Sequence, residues 1–234
     1  TKKKSTLHRK SDDGEYRSYT TSPIKDKAVI ASVREYFLSR EQYNNHMLFV
    51  VGISVGLRIS DLLSLRFIDV MNEQIEFRDE IILPEIKTGK PRVFALSDVA
   101  KDAIRLYIDK VLNWRFSMGD YLFPPRKQDS KSAHIDQSTA NRALGAAFAA
   151  NHLDMNHGTH VLRKTFAYHV LTGTNDPLER SRRLEVLQHM LNHSSPAITL
   201  AYAGITADEE QAIYKNLDFG IDPVSEEIIS KSAD

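Results

Sequence analysis

The chain has 234 residues, 41% of them hydrophobic and 26% charged, enough to bury one large core or two small ones. It has no cysteine, no apolar run of about 18 residues or more and no signal-peptide pattern, which excludes disulfide scaffolds, thiolate metal sites and a membrane-spanning helix. Basic and acidic residues balance at 31 each but are spread unevenly: residues 205–234 hold eight acids and two lysines, leaving the rest net +6. A basic arm and body with an acidic tail suit a polyanionic partner. A reducing cytoplasm is the default expectation for such a chain, and a start at Thr1 rather than methionine points to a fragment or a processed product.

Residues 1–21 are polar and aperiodic and read as a basic, flexible arm or linker. In "SPIKDKAVIASVREYFLSR", Ser22 can cap a helix with Pro23 at its first position, and Val29, Ile30, Val33, Tyr36 and Phe37 recur at helical spacing. "REQYNNHMLFVVGISVG" predicts a second, central helix that Gly56 can end. From 74 to 96 the pattern turns β-rich: "QIEF", "EIILPEI" and "RVFALS" are short, and the last two flank "KTGK", a hairpin with Thr-Gly at its tip. An amphipathic helix over about 98–116 follows, and "GDYLFPP" is a loop. Helices over about 136–151, 158–172, 177–192, 195–203 and 206–217 complete the body, with Asp176-Pro177 as cap and start of the one at 177. The expected fold is α+β, mainly α-helical, with one small antiparallel hairpin. It divides into an arm over 1–21, a body over 22–217 and an acidic tail over 218–234.

Four stretches can carry chemistry. "HGTHVLRKTFAYHV" sets His160 and Arg163 three apart on one helical face, where a guanidinium fork and an imidazole can hold an anion. In "VGLRISDLLSLR", Arg58 enters a run of mostly apolar residues and needs a carboxylate or a bound anion there; Asp61 is a plausible orienting partner. "KTGK" presents Lys87 and Lys90 at a hairpin tip, either able to deliver a proton into a groove. "LNHSSPAITLAYAG" places Tyr202 nine residues after His193. Each stretch alone also fits an ordinary surface pair, a solvated lysine or a half-buried aromatic. His152, His157, His160, His189 and His193 raise a metal reading, but Met190 stands where a zinc-protease motif needs glutamate and no carboxylate cluster completes a site.

Taken together, the order of arginine, hairpin lysine, His-x-x-Arg, histidine and tyrosine resembles the tyrosine recombinase (phage integrase) family, over about residues 22–217. "GLRISDLLSLRFIDV" looks like its first catalytic block, with Arg58 on the first arginine. "HGTHVLRKTFAYHVL" looks like the second, with His160 and Arg163. "LQHMLNHSSPAITLAYAG" looks like the last, with His193 as second histidine and Tyr202 as nucleophile. "KTGKPRVFALS" is similar to the hairpin carrying the family's lysine, which falls on Lys87, with Lys90 and Lys164 left as DNA contacts. Two departures are visible: Lys164 where many members have histidine, and Asn192 where they have glycine.

The resemblance implies a site-specific recombinase or integrase that cuts and rejoins double-stranded DNA through a 3′-phosphotyrosyl intermediate. It would act at a specific recombination site, without metal, ATP or cofactor, as a homo-tetramer in the cytoplasm of a bacterium, serving a phage or mobile element. Most members carry a further N-terminal DNA-clamping domain, so the chain is expected to be a catalytic domain or a minimal recombinase. Val224, Ile228 and Ile229 give the acidic tail a small apolar stripe, expected to dock on a neighbouring protomer or in cis. The alternatives are a type IB topoisomerase-like strand transferase and a non-catalytic DNA-binding regulator on the same fold.

Overall fold

The computed structural model describes residues 21–87, 89–125, 133–153 and 158–205, together with Ala212 and the backbone of two paired dipeptide strands, β1 (Arg9–Lys10) and β2 (Tyr16–Arg17). The helix predicted over 206–217 (Ala212 apart) and the tail over 218–234 lie outside these residues.

The first helix, α1 (Lys27–Leu38), begins at Lys27 rather than at Pro23, and Asp26, not Ser22, is its cap, accepting from Ala28 N at 2.7 Å. Pro23 and Ile24 are instead buried as an extended strap. Ile24 N donates to Thr165 Oγ1 at 2.9 Å and Ile24 O pairs with His169 Nε2 at 2.9 Å, so the backbone here is bonded across the chain rather than along a helix. The next helix, α2 (Tyr43–Val55), is buried over almost its whole second half and forms the centre of the body.

Two glycines in and after α2 set the position of α7 (His160–Thr172). A Cβ at Gly52 would meet Leu162 Cδ1 at 2.6 Å, so α7 lies closer to α2 there than any side chain allows. Gly56 ends α2 in the left-handed conformation, at φ 60°, and a Cβ on it would meet Phe166 Cδ1 at 2.2 Å.

Two short helices follow, α3 (Ile59–Leu63) and α4 (Phe67–Val70), and then the hairpin of β3 (Ile81–Pro84) and β4 (Pro91–Phe94). The register pairs Ile81 with Phe94 and Pro84 with Pro91, which leaves Lys87 in the tip as expected. "QIEF" forms no strand: Ile75 sits at φ 62° in a turn closed by Asn72, and only Phe77 pairs, with Met71. The predicted long helix is α5 (Asp98–Tyr107), which widens into a π-helical turn over Ile108–Leu112 and stops at Asn113, short of 116. α6 (Gln137–Ala150), α8 (Pro177–Leu191) and α9 (Pro196–Ala203) fall where their patterns place them.

Apolar packing divides in two. The larger core gathers α1, α2, α5, α6 and the hairpin with Val161 and Leu162 of α7. The smaller one holds Ala167, Leu171, Leu187, Leu191, Ala203 and Ile205, so α7 belongs to both. No described helix is long and apolar enough to cross a membrane.

One core residue should make the fold acid-sensitive. Both ring nitrogens of His46, on α2, are buried without a hydrogen-bond partner, and burial, aided by Arg34, lowers its pKa to about 4. An unfolded imidazole takes its proton near 6.5, so the unfolded state binds more protons between these two values. Stability should therefore be level above about pH 6.5 and drop toward pH 4, by up to about 3 kcal/mol. Urea midpoints across that range should show the loss in the wild type and a flatter profile in His46→Leu. An equal acid loss in both would place its source elsewhere.

Candidate active site

Arg163 sits where the two cores meet. It is only 4% exposed, and its guanidinium donates through Nη1 to Gly56 O at 2.8 Å and through Nη2 to Leu191 O at 3.0 Å. The first carbonyl is freed by the left-handed end of α2 and the second belongs to the last turn of α8, so two helix C-termini face one cation. A buried guanidinium held this way is fixed before any ligand arrives.

Tyr202, on α9, lies against it. Burial pushes the phenol above its ordinary pKa, while the charge of Arg163, a hydrogen bond from it and the charge of Arg58 pull the other way. Desolvation wins, so Tyr202 is a neutral phenol and not the phenolate that a cluster of cations alone suggests. Its edge meets the His193 ring at 5.1 Å between centroids, and Lys164 Nζ lies 5.4 Å from its ring centre. His193 pairs through Nδ1 with the hydroxyl of buried Thr199, a turn below Tyr202 on α9, at 3.1 Å.

Two imidazoles flank these groups, and both are held below their usual pKa. For His193 the causes are burial, then Arg163 and Arg58; for His160, burial, then Lys164 and Arg163. His160 is exposed at the start of α7, on the same helical face as Arg163. Both are neutral at pH 7 and can accept a proton.

The first arginine has a different partner from the expected one. Arg58 Nη1 is 2.6 Å from Glu85 Oε2, an ion pair too bent for a hydrogen bond, whereas Asp61 turns away and accepts from Ile86 N at 2.9 Å. The aspartate is fully buried beneath the hairpin turn, which it anchors through Ile86 N, and its charge reaches Arg92 and Arg163. Lys87 follows Ile86 directly and is exposed; Lys90 is also exposed and closes the hairpin through its carbonyl, which accepts from Glu85 N at 2.9 Å. His157 lies outside the described residues, and among those described no three His, Asp or Glu side chains converge as metal ligands.

Glu85, Arg92 and Thr199 were not expected at the site. A signal for the first two existed: alternation that turns Ile81 and Leu83 inward also turns Glu85 inward, and Arg92 shares its face with Phe94.

The family model described as "Phage integrase family" matches residues 23–209, the greater part of the chain. The chain belongs to the phage integrase family. A probable integrase/recombinase, YoeC of Bacillus subtilis, is 36% identical over 197 residues, covering 84% of this chain and 97% of that one. The tyrosine recombinase XerD of Caulobacter vibrioides is 28% identical over 158 residues, 65% of this chain and 47% of its own, so the chain spans about half the length of the Xer relatives it matches. Among solved structures, the XerA recombinase aligns at a TM-score of 0.61 with 21% identity over 87% of this chain and 66% of that chain, a likeness of fold. XerH bound to palindromic difH substrate, a post-cleavage complex, aligns at 0.60 with 16% identity over 88% and 56%.

The two departures from the phage integrase pattern have physical explanations. Asn192 ends α8 at φ 54°, a left-handed backbone that glycine adopts best and asparagine next. Lys164 is half-buried, donates to Thr21 O on the strap and holds its charge over the Tyr202 ring.

Proposed function

We propose that this chain is the catalytic part of a site-specific DNA recombinase that cleaves and rejoins strands through a 3′-phosphotyrosyl bond to Tyr202. The observation that carries this reading is the phenol of Tyr202 on the buried, prefixed guanidinium of Arg163, with His193 at its edge. The DNA in the XerH complex supports the same partner here.

In this reading Arg58, Arg163 and His193 donate to the nonbridging oxygens of the scissile phosphate, where charge builds as the fifth bond forms. The Tyr202 oxygen attacks phosphorus and its proton passes to neutral His160. The P–O5′ bond breaks, and the leaving oxygen takes a proton from Lys87, giving a free 5′-hydroxyl. The bond energy stays in the phosphotyrosine, so a 5′-hydroxyl of another strand reverses the steps without ATP. Integration or excision of a mobile element by a tetramer is the use this chemistry fits.

Trapping tests the reading. A nicked suicide duplex drawn from a library of candidate sites should yield a covalent protein–DNA adduct, and should do so in excess EDTA. Adduct that needs a divalent ion would revive the metal reading, and supercoil relaxation without junction resolution would favour the topoisomerase-like alternative.

The lysine assignment has its own check. Lys87→Ala should cut an ordinary phosphodiester about 10²-fold or more slowly, the usual worth of a general acid. It should recover on a 5′-bridging phosphorothiolate, whose sulfur leaves unprotonated. Recovery in Lys90→Ala instead would move the acid to Lys90.

A further inference from the structure

His193 is held from two helices. Its backbone is tied to the last turn of α8: its N–H donates to Gln188 O at 3.0 Å, and its carbonyl accepts from Gln188 Nε2 at 3.2 Å. Its ring is tied to α9 by the 3.1 Å bond between Nδ1 and Thr199 Oγ1. Thr199 is fully buried and lies three residues before Tyr202, so it touches the imidazole and shares a helix turn with the phenol. A hydroxyl buried so completely costs free energy unless it is bonded, and this one is bonded to a group of the candidate site.

Which atom carries the proton between them decides what His193 can do. The ring is neutral at pH 7, since burial and the charges of Arg163 and Arg58 all disfavour a second proton. A neutral imidazole donates from one nitrogen and accepts at the other. If Nδ1 carries the hydrogen, it donates to Thr199, and Nε2 is bare and can only accept. If Thr199 donates to Nδ1, the hydrogen is on Nε2, on the ring edge away from Thr199, where it can be given to a phosphate oxygen. The hydroxyl has a second acceptor in reach, Ser195 O at 3.3 Å. That carbonyl already accepts from Thr199 N at 3.4 Å, as the first bond of the helix, and the contact to the imidazole is the shorter of the two.

We propose that Thr199 is a positioning residue that donates its hydroxyl proton to His193 Nδ1, and so fixes the ring in the Nε2–H form that can donate to the scissile phosphate. The identity of that phosphate rests on the recombinase reading; the direction of the Thr199–His193 hydrogen bond does not. Because the threonine rides on α9, the ring is fixed only while the helix of Tyr202 is seated.

Two measurements test this. In the DNA-free protein, two-bond 1H–15N NMR of the histidine rings reads the direction of the bond, with the His193 signals assigned by their loss in His193→Ala. At about pH 7.5, above the ordinary histidine range, the wild type should show hydrogen on Nε2 and none on Nδ1. Hydrogen on Nδ1 overturns the proposal, whether as the other neutral form, which makes His193 an acceptor, or as imidazolium, which donates from Nε2 unaided. On DNA, Thr199→Val keeps the shape without the hydroxyl. It should slow trapping on the suicide duplex by about 10–100-fold, the scale of a misplaced catalytic group, at unchanged gel-shift affinity. Thr199→Ser should recover most of that loss. In a His193→Ala background Thr199→Val should cost little more, because the hydroxyl acts through the ring. A full further loss in that background, or wild-type cleavage by Thr199→Val, overturns the positioning role. If Thr199→Val does not fold, Thr199→Ala against Thr199→Ser carries the same comparisons. If the wild type forms no adduct with any DNA, the recombinase reading fails and the NMR result alone decides the hydrogen bond.

Discussion

Phenylalanine at position 202 should abolish the covalent adduct while leaving DNA binding close to that of the wild type. The substitution removes one oxygen and little else. The ring keeps its edge contact with His193 and its place under Lys164, and Arg163 keeps both backbone carbonyls. With the fold and the cationic surface intact, any loss of cleavage belongs to the missing nucleophile. Gel-shift titration alongside trapping on a suicide substrate measures the two properties separately. A Tyr202→Phe protein that still becomes covalently attached would falsify the assignment.

Arg163→Ala should lose both chemistry and stability. Removing one fixed donor to a developing oxyanion costs about 10²–10³ in rate. Here the same change also strips the buried carbonyls of Gly56 and Leu191 of a charged donor, at about 1–3 kcal/mol for each group left unsatisfied. Single-turnover cleavage at saturating DNA, read beside a thermal melt, separates the two losses. Arg163→Lys should restore part of the stability but little of the rate, since an ammonium cannot fork both carbonyls and still meet phosphate. Arg58→Ala should show the rate loss with a smaller stability loss, its side chain being partly exposed. Cleavage within about tenfold of wild type in either alanine variant would take that arginine out of the site.

What could be read from the sequence was what repeats or is strongly local. α6, α8 and α9 begin at Asp136, Asp176 and Ser195, short polar caps that the chain announces, and α2 ends at a glycine whose left-handed backbone is needed there. Where a long-range contact decides, local reading fails. Ser22-Pro23 is a sound helix start until Thr165 and His169, far along the chain, claim the backbone of Ile24. Asp61 looks like a partner for Arg58 three residues back, but the hairpin brings Glu85 to the arginine and takes Asp61 for itself. The neutral state of Tyr202 was equally hidden, because it follows from how deeply α9 is packed and not from which cations are near.

The division of the apolar interior has a consequence for control. Tyr202 rides on α9, which packs with α8 and one face of α7 around a small core of its own. Among the described residues this is the smaller of the two cores, and a unit packed on it opens at a free energy below that of the whole molecule, as a local unfolding equilibrium. The proportion of molecules with a seated tyrosine is then a thermodynamic variable, separate from the groups proposed for catalysis on α7 and the hairpin. In the proposed reaction, a contact on the outer surface of α8 or α9 that favours the closed form raises this proportion, and one that favours the open form lowers cleavage with every proposed catalytic side chain still present.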